Sequence, residues 1–172
     1  MVYEIYPRSF QDTNGDGIGD LKGIIERLDY LKELGVDAVW LTPIYPSPQV
    51  DFGYDISNYK GIDAQYGTMK DFDLLLAEAK KRGIRILMDA VMNHTSDQHP
   101  WFEASRASRT NSKRDWYVWK DGIEGGVPPN NWTSLFGRSA WQWDATTAQW
   151  YYHRFYKEQP DQRRAGDGLT CR

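Results

Sequence analysis

Ile84-Arg85-Ile86-Leu87-Met88-Asp89-Ala90-Val91-Met92-Asn93-His94-Thr95-Ser96 is the stretch that decides the fold. It opens after Gly83 as a short apolar run, the pattern of a strand buried on both faces of a parallel sheet. It closes on four polar residues, Asn93 to Ser96. In an α/β barrel the working groups sit at the C-terminal ends of strands, and a strand that turns polar at its end fits that mouth. Asp89 falls at that end, with Asn93 and His94 just beyond. The competing reading is a core strand with an ordinary polar exit.

The segments before it repeat one arrangement. Val2 to Tyr6 reads as a first strand, rich in β-branched and aromatic residues. Asp20 can cap a helix whose stripe is Leu21, Ile24, Ile25, Leu28, Leu31 and Leu34, with Gly35 at its stop. Val36 to Leu41 follows as a second buried strand. Thr68-Met69-Lys70-Asp71 forms a capping box with aspartate in place of glutamate, opening a helix to about Arg82. Phe72, Leu75, Leu76 and Ala79 are its inward positions. Strand, helix, strand in this order argues for parallel βαβ units.

Two loops carry chemistry. Asp12-Thr13-Asn14-Gly15-Asp16-Gly17-Ile18-Gly19-Asp20 sets oxygen side chains at alternate positions with glycine at the sixth, like the opening of a calcium loop. Gly23 stands where an EF-hand needs glutamate, so the helix-loop-helix reading fails. A turn without metal is the alternative. Residues 43–67 are too long and turn-rich for a plain connection, and they contain Gly53-Tyr54-Asp55.

The spacing Asp89-x-x-x-Asn93-His94 resembles the first signature region of the α-amylase family of glycoside hydrolases. Tyr3 to Phe10, Asp12 to Asp20, Gly53 to Tyr59 and Gln159-Pro160-Asp161 resemble it too, in the family's order. The likeness is closest to the α-glucosidase and oligo-1,6-glucosidase branch and covers residues 1–161. It implies an α/β fold: the first three βα units of a (β/α)8 TIM barrel in residues 1–96, with an irregular domain inserted after the third strand in 97–161.

For the site, the resemblance implies that Tyr54 stacks on the glucose beside the cleaved bond and that Asp55 bonds the hydroxyls of the terminal glucose. A sugar ring offers an apolar face to an aromatic and hydroxyls to a carboxylate. His94 is implied to bond the same glucose, with Asp89 and Asn93 bracing the site. It further implies a structural Ca2+ held by Asp12, Asn14, Asp16, the Ile18 carbonyl and Asp20. Such enzymes cleave α-glucosidic bonds of oligosaccharides with retention, using a carboxylate nucleophile and an acid/base about 5–5.5 Å apart. The family's three catalytic carboxylates fall beyond Arg172, so no catalytic residue is expected in this chain, which reads as an inactive fragment. The other readings are a non-catalytic barrel homologue of the transporter heavy-chain type and a free-standing calcium- or carbohydrate-binding module.

Composition narrows the classes. Twenty-one basic against 24 acidic residues give a net charge of −3 and no basic footprint for nucleic acid. No run of about 18 apolar residues suggests a membrane span, and no secretory signal is visible, which points to the cytoplasm. Cys171 is the sole cysteine. Seven of eight tryptophans lie after residue 100 and are expected mostly to form the inserted domain's core. Residues 162–172 lose the family pattern in mid-motif and read as an aberrant tail.

Overall fold

The computed structural model describes residues 1–163, and its chain falls into two units. The first comprises Met1–Pro46 and Asn58–Ala90. Its strands β1 (Val2–Ile5), β2 (Ala38–Leu41) and β3 (Arg85–Met88) form a parallel sheet in that order, with Ile5, Leu41 and Met88 in register. Between the strands run α1 (Leu21–Glu26), α2 (Leu28–Glu33) and α3 (Met69–Lys81).

Alternation decides which side chains meet the helices. Ile5, Val39 and Leu41 are buried with Leu21, Ile24, Leu28, Leu31 and Leu75, while Tyr3, Ile86 and Met88 pack at the margin of this cluster. The opposite sheet face carries Val2, Glu4 and Leu87, all exposed. Leu87 is 44% exposed. The expectation that β3 is buried on both faces is therefore corrected: Arg85 and Leu87 on its other face are exposed, and β3 is an edge strand of the described sheet.

Local signals are otherwise obeyed at the helix starts. Asp20 accepts from Gly23 N at 2.8 Å, and Thr68 and Asp71 complete the capping box. The expected single helix from Leu21 to Leu34 is broken, however. Arg27 leaves helical geometry with ψ 4°, and its guanidinium is held by Gln11 Oε1 at 2.7 and 2.9 Å. Of the inward positions assigned to α3, Leu75 and Ala79 are buried, but Leu76 is exposed.

The second unit comprises Ser47–Ser57 and the chain from Val91 onward. It contains α4 (Pro100–Ala107) and an antiparallel sheet of β4 (Trp119–Lys120), β6 (Gln149–Tyr152) and β5 (Trp141–Asp144), with β6 in the middle. This division departs from the boundary expected at residue 96. Long-range bonds explain it: Ser96 N donates to Ile56 O at 2.9 Å, and Gln159 reaches Asp51 across 108 residues.

The core of this unit is Phe102, Tyr117 and Tyr151, with Trp119 packed against it. Phe102 meets Tyr117 and Tyr151 edge-on at 5.0 and 5.1 Å and stacks on Trp119 at 5.6 Å. The tryptophans themselves are not that core. Only Trp141 is buried, whereas Trp101, Trp116, Trp132 and Trp143 are exposed. Indole bulk and its N–H are met at the surface, as where Lys113 Nζ sits 3.5 Å over Trp116. Gln162 and Arg163, assigned to the tail, are held by main-chain bonds to Asn93 and Trp116; the rest of that tail lies outside the described residues.

Candidate functional site

The loop 47–55 folds around one carboxylate. Asp55 is fully buried; its Oδ1 accepts from Ser47 Oγ (2.8 Å) and Asp51 N (3.0 Å), and its Oδ2 accepts from Val50 N (3.0 Å). Three accepted bonds occupy most of a carboxylate's capacity. The backbone pays in left-handed conformations at Gln49, Phe52 and Gly53, with φ of 64°, 43° and 105°. Asp55 thus organises the loop and is enclosed by it.

His94 follows from Val91 and is 4% exposed. Its Nε2 lies 3.1 Å from the Tyr54 carbonyl oxygen and 3.0 Å from Gln159 Nε2. Its Nδ1 lies 3.2 Å from Asn93 Nδ2, which also donates to Asp161 Oδ2 at 3.2 Å. An isolated antiparallel bridge couples His94 to Asp161, and the Phe155 ring meets the imidazole edge-on at 5.2 Å. Burial holds the His94 pKa below 6.5, against the Tyr54 carbonyl and the Asp55 charge, which favour its protonated form.

Gln159 is fully buried and joins this cluster to Asp51, donating from Nε2 to Asp51 Oδ2 at 2.9 Å. Asp51 is half-buried. Burial raises its pKa; the Gln159 bond lowers it, and the Asp55 charge adds to the rise. Tyr54 is half-buried in the same loop, its N–H turning back to Asp51 O at 3.1 Å. The fold therefore brings Tyr54, Asp55, Asn93 and His94 into one unit. Asp89 belongs to the first unit; it is half-buried after β3, and its carbonyl accepts from Tyr45 OH at 3.1 Å.

Sequence reasoning did not single out Asp51 or Phe155, which the structure places against this cluster. Asp51 and Asp55 stand four apart in one polar loop, and only the fold shows how their hydrogen bonds differ. Gln159 stood out only within the motif Gln159-Pro160-Asp161, and its contacts had no local signal, since its partners are 65 and 108 residues away.

The loop 12–20 is a second candidate. Asp12 accepts from the amides of Asn14, Gly15 and Gly17, and Asp16 from Ile18 N. Asp20 accepts from Thr13 and Gly23. Amides of Gly15 and Gly17 hold the Asp12 pKa below 3.8. Three carboxylates, one amide and one carbonyl are the right oxygen chemistry for a hard cation. Among the described residues, though, no three Asp, Glu, His or Cys side chains converge as a metal cluster. Among the same residues no helix is long and apolar enough to cross a membrane.

A parallel three-stranded sheet with helices between its strands, and a second unit that gathers a buried histidine, a carboxylate and an aromatic, describe an α/β protein with a polar candidate site. The chain belongs to the α-amylase catalytic-domain family, which matches residues 4–167. It is 59% identical to a probable α-glucosidase of Rhizobium meliloti and 60% identical to an oligo-1,6-glucosidase of Heyndrickxia coagulans, each over 94% of this chain. The crystal structure of the trehalulose synthase MutB from Pseudomonas mesoacidophila MX-45 superposes with a TM-score of 0.91 at 58% identity, over 94% of this chain. A MutB mutant in complex with its substrate sucrose gives 0.92. The chain spans 29% of the length of each of these relatives.

Proposed function

We propose that this chain supplies part of the glucose grip of an α-glucoside-processing enzyme of the α-amylase family. The first unit is then the opening three βα units of a (β/α)8 barrel, and the second is largely the domain inserted after the third strand. The observation that carries the reading is the single constellation of His94, Tyr54, Asp51 and Gln159. Asp51, rather than Asp55, offers the carboxylate for sugar hydroxyls, because Asp55 is occupied by its own loop. Tyr54 offers a ring face and His94 a ring nitrogen. Relatives at similar identity include glucosidases and a synthase that uses sucrose, so the proposal concerns the glucosyl unit they share.

The test is a nuclear magnetic resonance titration of the 172-residue chain with isomaltose. Resonances of His94, Tyr54 and Asp51 should shift with weak affinity, while those of α3 stay fixed; no shift at high sugar concentration overturns the reading. The same chain should release no p-nitrophenol from its α-glucoside, because a retaining mechanism needs a nucleophile and an acid/base pair that this site does not offer. Turnover above a blank would refute that assignment.

We also propose that the loop 12–20 takes Ca2+ through Asp12, Asn14, Asp16, the Ile18 carbonyl and Asp20. The supporting feature is the alternating oxygen pattern; binding would require the carboxylates to exchange main-chain amides for metal. Calcium at a hundredfold excess over Kd should stabilise the chain by about 2.7 kcal/mol. An unchanged melt, with and without chelator, would exclude it.

A further inference from the structure

The second unit holds a cleft of about 660 Å³, a volume that suits a small-molecule ligand. Its walls include His153, Trp141, Phe136, Tyr156 and Arg138, none of them in the constellation of His94, Tyr54, Asp51 and Gln159. His153 is 5% exposed and is oriented by its own segment, with Nδ1 3.0 Å from the Phe155 carbonyl oxygen. A carbonyl only accepts, so Nδ1 carries the proton and the neutral ring keeps its lone pair on Nε2. Burial holds the His153 pKa below 6.5, while the Phe155 carbonyl and Glu158 favour protonation. Among the described residues nothing hydrogen-bonds Nε2. His153 forms part of the cleft wall, so this acceptor is the polar atom it can offer a ligand there.

The remaining wall selects the ligand's shape. Trp141 is 3% exposed, and its indole N–H already goes to Asn130 Oδ1 at 2.8 Å, so it gives the cleft aromatic surface and no donor. Phe136 and Tyr156 stack at 4.2 Å and add a second pair of rings, both partly exposed. Lys157 and Glu158 pair at 3.8 Å, which leaves Arg138 as an exposed donor. One acceptor, aromatic surface and one donor match a ring with apolar C–H faces and hydroxyls at its edge. We propose that this cleft is a second pyranose site, in which a sugar hydroxyl donates to His153 Nε2 and the ring packs on the aromatic wall. Phe155 links it to the grip, since its ring meets His94 and its carbonyl orients His153. The ligand class rests on the glucose-grip reading; the free acceptor in the cleft does not.

The experiment is a titration of the 172-residue chain with methyl α-glucopyranoside at pH 8, read in the imidazole and indole nitrogen resonances. The His153 Nε2 resonance should move upfield as its lone pair accepts a bond, and the Trp141 indole resonance should follow with the same affinity. An unmoved His153 at high sugar concentration overturns the proposal. Sorbitol has the hydroxyls without the ring, and a response equal to the glucoside's would refute the pyranose assignment. His153→Asn puts an amide donor near the place of Nδ1 and removes Nε2, so it should weaken the Trp141 response about tenfold and spare that of His94. Unchanged affinity at Trp141 in the folded variant counts against the site; if the variant does not fold, the titration of the unmodified chain decides. Tyr54→Ala strips the grip of its ring and should leave the His153 response intact. Loss of that response would mean that both signals report one site, which removes the second. An unmoved His94 beside a moving His153 refutes the grip alone, and the cleft stands.

Discussion

The two units are held together by different physics. In the first, Leu21, Ile24, Leu28, Leu31 and Leu75 are fully buried against β1 and β2, and the cohesion is mostly non-directional burial of aliphatic surface. In the second, three aromatic rings form the apolar centre, and buried polar groups surround it: His94, Ser105, Arg114, Asp144, Thr147 and Gln159. Arg114 stacks 3.5 Å over Trp119 while donating to Ser105 O and Thr147 Oγ1. Directional networks of this kind rigidify a unit when every group is satisfied and penalise it when one is removed. Tyr54, Asp55, Asn93 and His94 belong to the second kind, which fits a candidate site with fixed hydrogen-bonding directions.

The comparison predicts unequal responses to near-isosteric change. Asp144 is almost fully buried, taking Arg106 on Oδ2 at 2.8 Å and Thr147 N on Oδ1 at 3.1 Å. Asp144→Ala should cost about 1–3 kcal/mol, because the buried Thr147 amide is orphaned while Arg106, 42% exposed, is met by water. Leu28→Ala in the first unit should cost about 2–5 kcal/mol, but Leu28→Met less than about 1.5 kcal/mol. Urea unfolding followed by hydrogen exchange in peptides from each unit checks this. Equal tolerance of Leu28→Met and Asp144→Asn would break the comparison.

Gly23 is a steric exception within the first unit. A Cβ there would fall 2.1 Å from the Gln11 carbonyl oxygen, a main-chain atom with little room to move. Gly23→Ala should therefore destabilise by about 1–3 kcal/mol despite alanine's better helix propensity. A stabilised variant would show that the 11–23 contact is soft.

Much of this was legible in the sequence, and the part that was not has a physical pattern. The strands came through because apolar runs bounded by glycine are local, and the caps at Asp20 and Thr68 came through because they reach only three residues. The break at Arg27 did not, since the contact that accompanies it comes from Gln11, 16 residues away. The tryptophans misled because size suggested burial, whereas Phe102, Tyr117 and Tyr151 occupy the centre. At the site, Tyr54, Asp55, Asn93 and His94 lie in local motifs, and the fold gathers them in one unit. The difference in hydrogen bonding between Asp51 and Asp55 was not legible, because it depends on how the loop closes around Asp55.

Acid should separate the units further. All three histidines lie in the second, and burial holds the pKa of His94, His99 and His153 below 6.5. An unfolded chain takes up those protons near 6.5 while the folded one resists, so the second unit loses stability as pH falls below about 6.5. Asp51 and Asp97, raised foremost by burial, act in the opposite sense nearer 3.8. In the first unit Asp29, lowered by Arg82, and Asp71, lowered by the Thr68 hydroxyl, keep their contribution until pH falls through 3.8 and below. Hydrogen exchange at pH 7 and pH 5 should show faster opening in the second unit alone. Loss of protection in α3 over the same interval would contradict the assignment.

The smallest effect is expected where the first unit does use directional bonds, at the start of α3. Thr68 Oγ1 accepts from Asp71 N, and Asp71 Oδ2 accepts from Thr68 N at 2.8 Å. Both side chains sit at the surface end of a thirteen-residue helix that Leu75 and Ala79 fasten to the core. Water can replace much of what a cap supplies there, so Thr68→Ala should cost only about 1 kcal/mol and fray the first turn without loosening Leu75. Exchange should accelerate at the amides of residues 70 and 71 and remain unchanged at 75 and 79. A loss comparable to Asp144→Ala would mean that hydrogen bonds, not aliphatic burial, hold the first unit together.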